Sequence, residues 1–492
     1  MKKVSIILIA FAVGLASCKK GFLDINQTPN NPTSVPPTVM LTNTSIALGF
    51  ANGNDLNRAA SVLIQHTAGV ANQVQQYDIF NLDGNFDNQW NFEIYNGAVN
   101  NLRLLISQNE ATSPYYSGIA KLQLAYIFSI ATDLWGPVPY SQAGFGLANE
   151  TPVFDLQEDI YQGNQAKGIV GLLDMVKDGL NDLNKSTSVL VPTATADIIY
   201  KGDLSKWKRM GNTLLLKFAI QMSNRNPALA KSTIESVLAG NNYINANTLD
   251  CEVPFGSAVG NRNPIFDFNN NLRTGDMMLS SRLYALSKSL NDTLRLSKFF
   301  TKPANATNTF TGFNNGSTAA APAVAARSKY NVYLTGAIGG EAPIRLLTWA
   351  QVNFILAEAV LTLGVTPPAG NTANSYYQAG ITASMTKVGM TATEISTYFT
   401  GNPTVVTLAG TTQQQLEQII TQKYISWIGN GIEAYNDYRR TGYPVLALPL
   451  NPAGDNPTLI PTRLPYTPNE LARNPNAPNP RPKTDVKLWF AL

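Results

Sequence analysis

Val352, Leu356, Ala359, Val360 and Leu363 each have a partner in the set three or four residues away. A strand would divide them between two faces, whereas a helix of 3.6 residues per turn gathers them onto one. The same apolar spacing runs through 59–74, 90–107, 115–132, 158–183 and 206–224. In the last of these, Met210, Leu214, Phe218 and Met222 share a face, and Asp203 or Ser205 supplies an N-cap. Further helices are expected over 374–388 and 412–428. The chain therefore reads as all-α, with these apolar stripes as its core.

Apolar burial has to hold such helices together, because the chain has only two cysteines and one is spoken for. Lys2 and Lys3 precede an apolar run over 4–13, followed by the small residues Gly14, Ala16 and Ser17. The run is about half the ~20 residues a spanning helix needs, and its flanks are those of an export signal. Leu15-Ala16-Ser17-Cys18 resembles a bacterial lipobox, in which the thiol is acylated and cleavage leaves Cys18 as the first residue. Only Cys251 then remains, so no intramolecular disulfide can form. Its Leu249-Asp-Cys-Glu-Val253 context reads as a small buried apolar side chain.

Residues 1–17 are thus expected to be a removed signal peptide and 18–40, rich in Asn, Pro and Thr, an extended tether. Length alone would allow about three domains, but the pattern reads as a single helical domain over 41–492. Long loops interrupt it at about 299–340 and 441–482, where Gly, Pro, Asn and Thr cluster. Recognition in such a chain belongs on its loops.

Charged residues make up 14% of the chain and nearly cancel, so no basic stripe offers itself to nucleic acid. The surface must be polar through amides and hydroxyls, with 20 Tyr, 20 Phe and six Trp beside them, a composition suited to uncharged polyols. The single histidine, His66, sits in an apolar context and reads as a satisfied helical residue. No phosphate loop, GxSxG elbow, HExxH or CxxC occurs. Asp267, Asn269 and Asn271 fit the first three positions of an EF-hand, but Leu272 replaces the turn glycine and Met278 the bidentate Glu, so no metal is expected and no cofactor is implied. Glycoside hydrolysis needs only two facing carboxylates; Glu93, Asp133, Glu341 and Glu358 are candidates, each with an ordinary capping, surface or packing explanation.

Several longer strings carry a family resemblance. Cys18-Lys-Lys-Gly-Phe-Leu-Asp-Ile-Asn26 followed by Pro29-Asn-Asn-Pro-Thr33 resembles the start of mature SusD/RagB lipoproteins, the nutrient-binding outer-membrane proteins of Bacteroidetes. Asp133-Leu-Trp-Gly-Pro-Val-Pro-Tyr140, Asp203-Leu-Ser-Lys-Trp207 with Asn212-Thr-Leu-Leu-Leu216, and Trp349-Ala-Gln-Val-Asn-Phe-Ile-Leu-Ala-Glu-Ala359 follow in the family's order, with Gln351 where a Glu is usual. Gln422-Lys-Tyr-Ile-Ser-Trp427, Glu433-Ala-Tyr-Asn-Asp-Tyr-Arg-Arg440, Pro461-Thr-Arg-Leu-Pro-Tyr466 and Asn474-Pro-Asn476 continue it.

The resemblance implies a SusD-like α/α superhelix of tetratricopeptide-like helix pairs, carrying a loop-rich ligand surface. It also implies a SusC-like TonB-dependent outer-membrane barrel as partner, an oligosaccharide or other nutrient as ligand, and no chemistry on that ligand. The location implied is the outer membrane, lipid-anchored and facing outward, although Lys19 and Lys20 stand where exported lipoproteins often carry acidic residues. Ligand contacts are expected in the aromatic, amide-rich region 77–95, at Trp90, Asn91, Tyr77 and Asn85, with Asn314, Tyr330 and Tyr333 from the later loop. Trp90 is expected to be a stacking platform whose loss abolishes binding without unfolding. A lipoprotein glycoside hydrolase and a structural transporter lid without ligand affinity are the alternative readings.

Overall fold

A computed structural model describes residues 35–304 and 308–491. The signal segment, Cys18 and most of the tether lie outside the described residues. The first helix, α1 (Pro37–Gly53), begins inside the stretch read as tether. Proline at its first position needs no hydrogen-bond partner for a missing N–H, and Met40, Leu41 and Leu48 are buried. The body therefore starts earlier than the Pro- and Asn-rich composition suggests.

Helix α2 (Asp55–Leu63) stops short of the expected 59–74. Gln65 takes a left-handed φ of 61°, and the chain leaves the helix to pair strand β1 (Thr67–Gly69) antiparallel with a later strand, Met277–Leu279. His66 consequently lies beyond the helix end, where its Nε2 meets Tyr424 O at 3.0 Å and burial lowers its pKa to about 3.

The scaffold follows as a succession of helices, each packed on the next. These are α3 (Asn100–Asn109), α4 (Pro114–Trp135), α5 (Leu172–Leu183), α6 (Leu204–Gln221) and α7 (Pro227–Gly240). Then come α8 (Trp349–Leu363), α9 (Ala373–Lys387), α10 (Thr412–Ser426) and α11 (Gly431–Thr441), the last returning against α2. The expected helix over 158–183 is two, because Gly163 and Gly168 at φ of 81° and 68° turn the chain between Gln162 and Leu172. Helices α4 and α5 cross where a Cβ on Gly118 would stand 2.7 Å from Gly179 O, so only glycine allows that approach.

Caps explain where these helices begin. Asp203 accepts from the backbone of Ser205 and Lys206 ahead of α6, Thr348 from Gln351 ahead of α8, and Asn430 from Glu433 ahead of α11. Thr372 with Ser375 and Thr411 with Gln414 form capping boxes for α9 and α10. The architecture is all-α. Besides β1 and its partner, the described strands are two further short antiparallel pairs, Val138–Pro139 with Phe154–Asp155 and Cys251–Val253 with Ile344–Leu347. The stretches 299–340 and 441–482 are largely irregular, with short helical turns at Val324–Ala326, Val332–Thr335 and Pro468–Arg473. Among the described residues no helix is long and apolar enough to cross a membrane.

Buried ions tie the scaffold to α11. Lys217 of α6 meets Glu433 at 2.5 Å, Lys423 of α10 meets Asp437 at 2.8 Å, and Arg440 pairs with both Glu358 of α8 and Asp437. All of these side chains are at most 5% exposed.

Asp78 fastens the loops instead. Its Oδ2 accepts from Gly69 N at 3.1 Å and Gly316 N at 2.8 Å, and its Oδ1 from Asn315 Nδ2 at 2.6 Å. Burial pushes this carboxyl up from 3.8 to about 7. The folded chain then holds a proton more tightly than the unfolded one, so the associated stability is full below pH ~4 and lost as pH rises toward ~7. Denaturant midpoints should fall over that window, and Asp78→Asn should flatten that part of the curve; an unchanged slope in the variant would assign the effect to another group.

Candidate functional site

The segment that follows the loop at 79–88 is a wide, π-helical turn series, Gln89–Val99, running directly into α3. Gly97 allows it: a Cβ there would stand 2.3 Å from Phe92 O, five residues back. Such widened helices recur at functional sites. The geometry places Asn91, Asn96 and Asn100, spaced by five and four residues, along one side of a cleft of about 390 Å³.

Tyr95 lies among them. Burial pushes its hydroxyl well above its ordinary pKa, and it donates to Pro139 O at 2.9 Å. The opposite wall is the turn at 143–152 and the short helix α12 (Pro468–Arg473). Asn474 stitches these together, donating to Pro152 O at 2.9 Å and Glu470 Oε1 at 2.8 Å. The side chains of Asn91, Glu150 and Arg473 line this cleft and have no hydrogen-bond or ion-pair partner among the described residues. An amide, a carboxylate and a guanidinium so placed can take hydroxyl groups as donors and acceptors at once.

Trp90 forms the floor and does not project into the cleft. It is 1% exposed, edge-on to Trp135 at 5.1 Å and to Tyr466 at 6.1 Å, stacked on Phe154 at 6.4 Å and tilted against Tyr95 at 5.0 Å. Its indole N–H reaches Glu470 Oε2 at 3.3 Å. The expectation of an exposed stacking platform is corrected: the aromatic cluster encloses the ring. Nor can another tryptophan take that part openly, since Trp135, Trp207 and Trp427 are buried and Trp349 and Trp489 half-buried.

Tyr77 is likewise core. Its ring stacks on Phe86 at 5.4 Å and its hydroxyl donates to Asp55 at 2.8 Å, which leaves no surface for a ligand. Asn85 lines a neighbouring polar cleft of about 340 Å³, where Arg58, held by Asp55, lies 3.5 Å over the Phe268 ring. Its own amide is engaged by Gln73 and by Leu82 O and Asp83 O. Asn314 is exposed on the later loop. Tyr330 is buried against Phe300, and Tyr333 lies under the Arg345 guanidinium at 3.6 Å and edge-on to Phe299. The structure thus brings Trp90 and Asn91 together, sets Asn85 beside them in the next cleft, and places none of the three later-loop residues in either.

The residues missed were Asn96, Asn100, Glu150, Glu470, Arg473 and Asn474. The amides could have been found from Asn91, Asn96 and Asn100 falling on a face otherwise flanked by apolar positions; the remote wall left no sequence signal beyond the Asn474-Pro-Asn476 string. The candidate carboxylates do not face one another. Asp133 is buried beneath Tyr161 and Asn436, Glu358 pairs with Arg440, Glu341 accepts from the Ile338 and Gly339 backbone, and Glu93 accepts from Asn54. Asp267 and Asn271 share one helical turn and bond each other at 2.7 Å. The one three-carboxylate group among the described residues, Glu110, Asp178 and Asp182, surrounds the Lys121 ammonium at 2.6–2.8 Å, which already stands where a metal ion would. A further cleft of about 570 Å³ lies beside α10, but the Gln414 and Gln418 oxygens facing it are taken by the Thr411 and Ala409 backbone.

The cleft is thus walled by a widened helix, a turn and a short helix, all set on an all-helical scaffold. The chain belongs to the SusD-like family described as "Starch-binding associating with outer membrane", whose model matches residues 29–467. Among solved structures it is similar to a chitin-binding protein (23% identity, TM-score 0.77, covering 93% of this chain and 100% of the other). It is similar also to a chitin-binding SusD homolog from Flavobacterium johnsoniae (22%, 0.73, 93% and 97%) and to a SusD-like protein from Bacteroides thetaiotaomicron (20%, 0.76, 93% and 99%). At these identities the likeness is one of fold. No curated protein matches the chain.

Proposed function

We propose that the protein is a lipid-anchored outer-membrane lipoprotein that captures a neutral oligosaccharide in the cleft beside Gln89–Val99 and passes it, unaltered, to a SusC-like TonB-dependent barrel. The observation that carries this reading is the set of three polar side chains unpartnered among the described residues, Asn91, Glu150 and Arg473, on one cleft lined by Tyr95 and five asparagines. The two solved relatives with chitin in their descriptions make N-acetylglucosamine oligomers, beside starch fragments, the first ligands to try.

Binding without chemistry fits a cleft in which Glu150 is the one carboxylate left free, where glycoside hydrolysis needs two. Both oxygens of Glu470 already accept, from Trp90 and Asn474, so it is tied into the wall. Calorimetry with an oligosaccharide panel, followed by chromatography of the recovered sugar, tests the reading. Arg473→Ala and Asn91→Ala should each weaken binding about 10-fold, the worth of a hydrogen bond to a charged or well-placed group, without moving the unfolding midpoint. Cleavage products would overturn the non-catalytic reading, and unchanged affinity in both variants would overturn the site.

A further inference from the structure

The described body begins at Val35, 17 residues after Cys18. Even fully extended, that length reaches at most about 60 Å, so an acylated Cys18 keeps the end of the body bearing α1's start within that distance of the membrane. There Thr42 Oγ1 donates to Ala196 O at 2.9 Å, setting the loop 186–202 beside the first turns of α1. Within it three consecutive aliphatic side chains, Val189, Leu190 and Val191, are 76%, 43% and 55% exposed, and Val39 on α1 is 56% exposed.

The exposure is built in. Val189 N donates to Thr112 O at 2.9 Å, Leu190 N to Ser113 Oγ at 3.3 Å, and Ser188 Oγ to Leu190 O at 2.6 Å. Pro192 O lies so close to Gly202 that a Cβ there would stand 2.5 Å away. Three fixed aliphatic side chains are far less than the ~800 Å² per partner of a stable protein interface. They match instead the apolar tip of an interfacial contact, where each buried methylene contributes about 0.8 kcal/mol. Charge does not decide the partner, because Lys185 and Lys201 at the two ends of the loop are offset by the carboxylates Glu110, Asp178 and Asp182, which exceed the single Lys121 they hold by two charges.

We propose that Val189, Leu190 and Val191 enter the lipid interface and orient the body on the membrane that holds its anchor; this rests on the acylation of Cys18 proposed above. A tether this short keeps the loop at high effective concentration over the bilayer, so a weak apolar contact is enough. The test is a Leu190→Cys variant of the full acylated chain carrying an environment-sensitive dye. Cys251 is fully buried and Cys18 acylated, so the dye reports position 190 alone.

In phosphatidylcholine vesicles its emission should shift to the blue and be quenched by a shallow lipid spin label. The same dye on Val445→Cys, 74% exposed in the loop after α11, should stay in water. Replacing Val189 and Val191 by Ser should remove the shift while the protein still floats with vesicles. An acylated, floating chain whose dye at 190 remains aqueous overturns the contact alone; a chain without acyl groups overturns both anchor and contact.

Discussion

Glu358→Ala should unfold at markedly lower denaturant, losing about 3–5 kcal/mol, the cost of leaving one partner of a buried pair uncompensated. Arg440 has both terminal nitrogens on Glu358 and a further bond to Asp437 at 3.0 Å. Without Glu358 its guanidinium, 1% exposed, would depend on an Asp437 already shared with Lys423. Arg440 cannot escape by deprotonating, because a guanidinium stays charged in proteins even when its carboxylate partner is gone. The double replacement Glu358→Met with Arg440→Met should recover most of the loss, because the apolar pair leaves no orphaned charge. A single variant as stable as the parent, or a double variant no better than the single, would contradict this account; a double-mutant cycle separates the terms.

Trp90→Ala should cost a similar ~3–5 kcal/mol, the usual range for emptying a large aromatic site. The indole touches Trp135, Phe154, Tyr466 and Tyr95, which come from four separate parts of the chain. Its removal would also release Glu470 from its N–H and loosen the wall that carries Arg473. Binding should therefore fall together with the unfolding midpoint. Trp90→Phe, which keeps most of the packing, should retain both. A Trp90→Ala protein that loses sugar but keeps the parent midpoint would restore the ring as a direct ligand contact.

That contrast shows how far the sequence could be read. Helices α6, α8, α9 and α10 lay within two residues of their expected starts, because three- and four-residue apolar spacing and side-chain caps are local signals. The break after α2 was hidden, since the residue that turns the chain, Gln65, is no usual bearer of a left-handed φ, and the strand it frees pairs with Met277–Leu279 some 200 residues on. The site was half legible for the same reason. Trp90 and Asn91 stand out in a dense local string, but whether an aromatic ring faces solvent or core depends on Phe154 and Tyr466, distant in the chain. Glu150 and Arg473 acquire meaning only when the turn at 143–152 and α12 meet.

The widened helix Gln89–Val99 also bears on how such a cleft could change over generations. Each wide turn holds about one residue more than an ordinary one, so losing a single codon there would return one turn to the ordinary count and change which side chains of the segment face the cleft. Asn96 would leave the cleft and a neighbour would replace it, with α4 to α11 untouched. Single-residue insertions and deletions in this stretch would thus exchange the lining wholesale, where point substitutions alter one group at a time. A scaffold held by caps and buried ions can keep its form while its specificity is redrawn in one step.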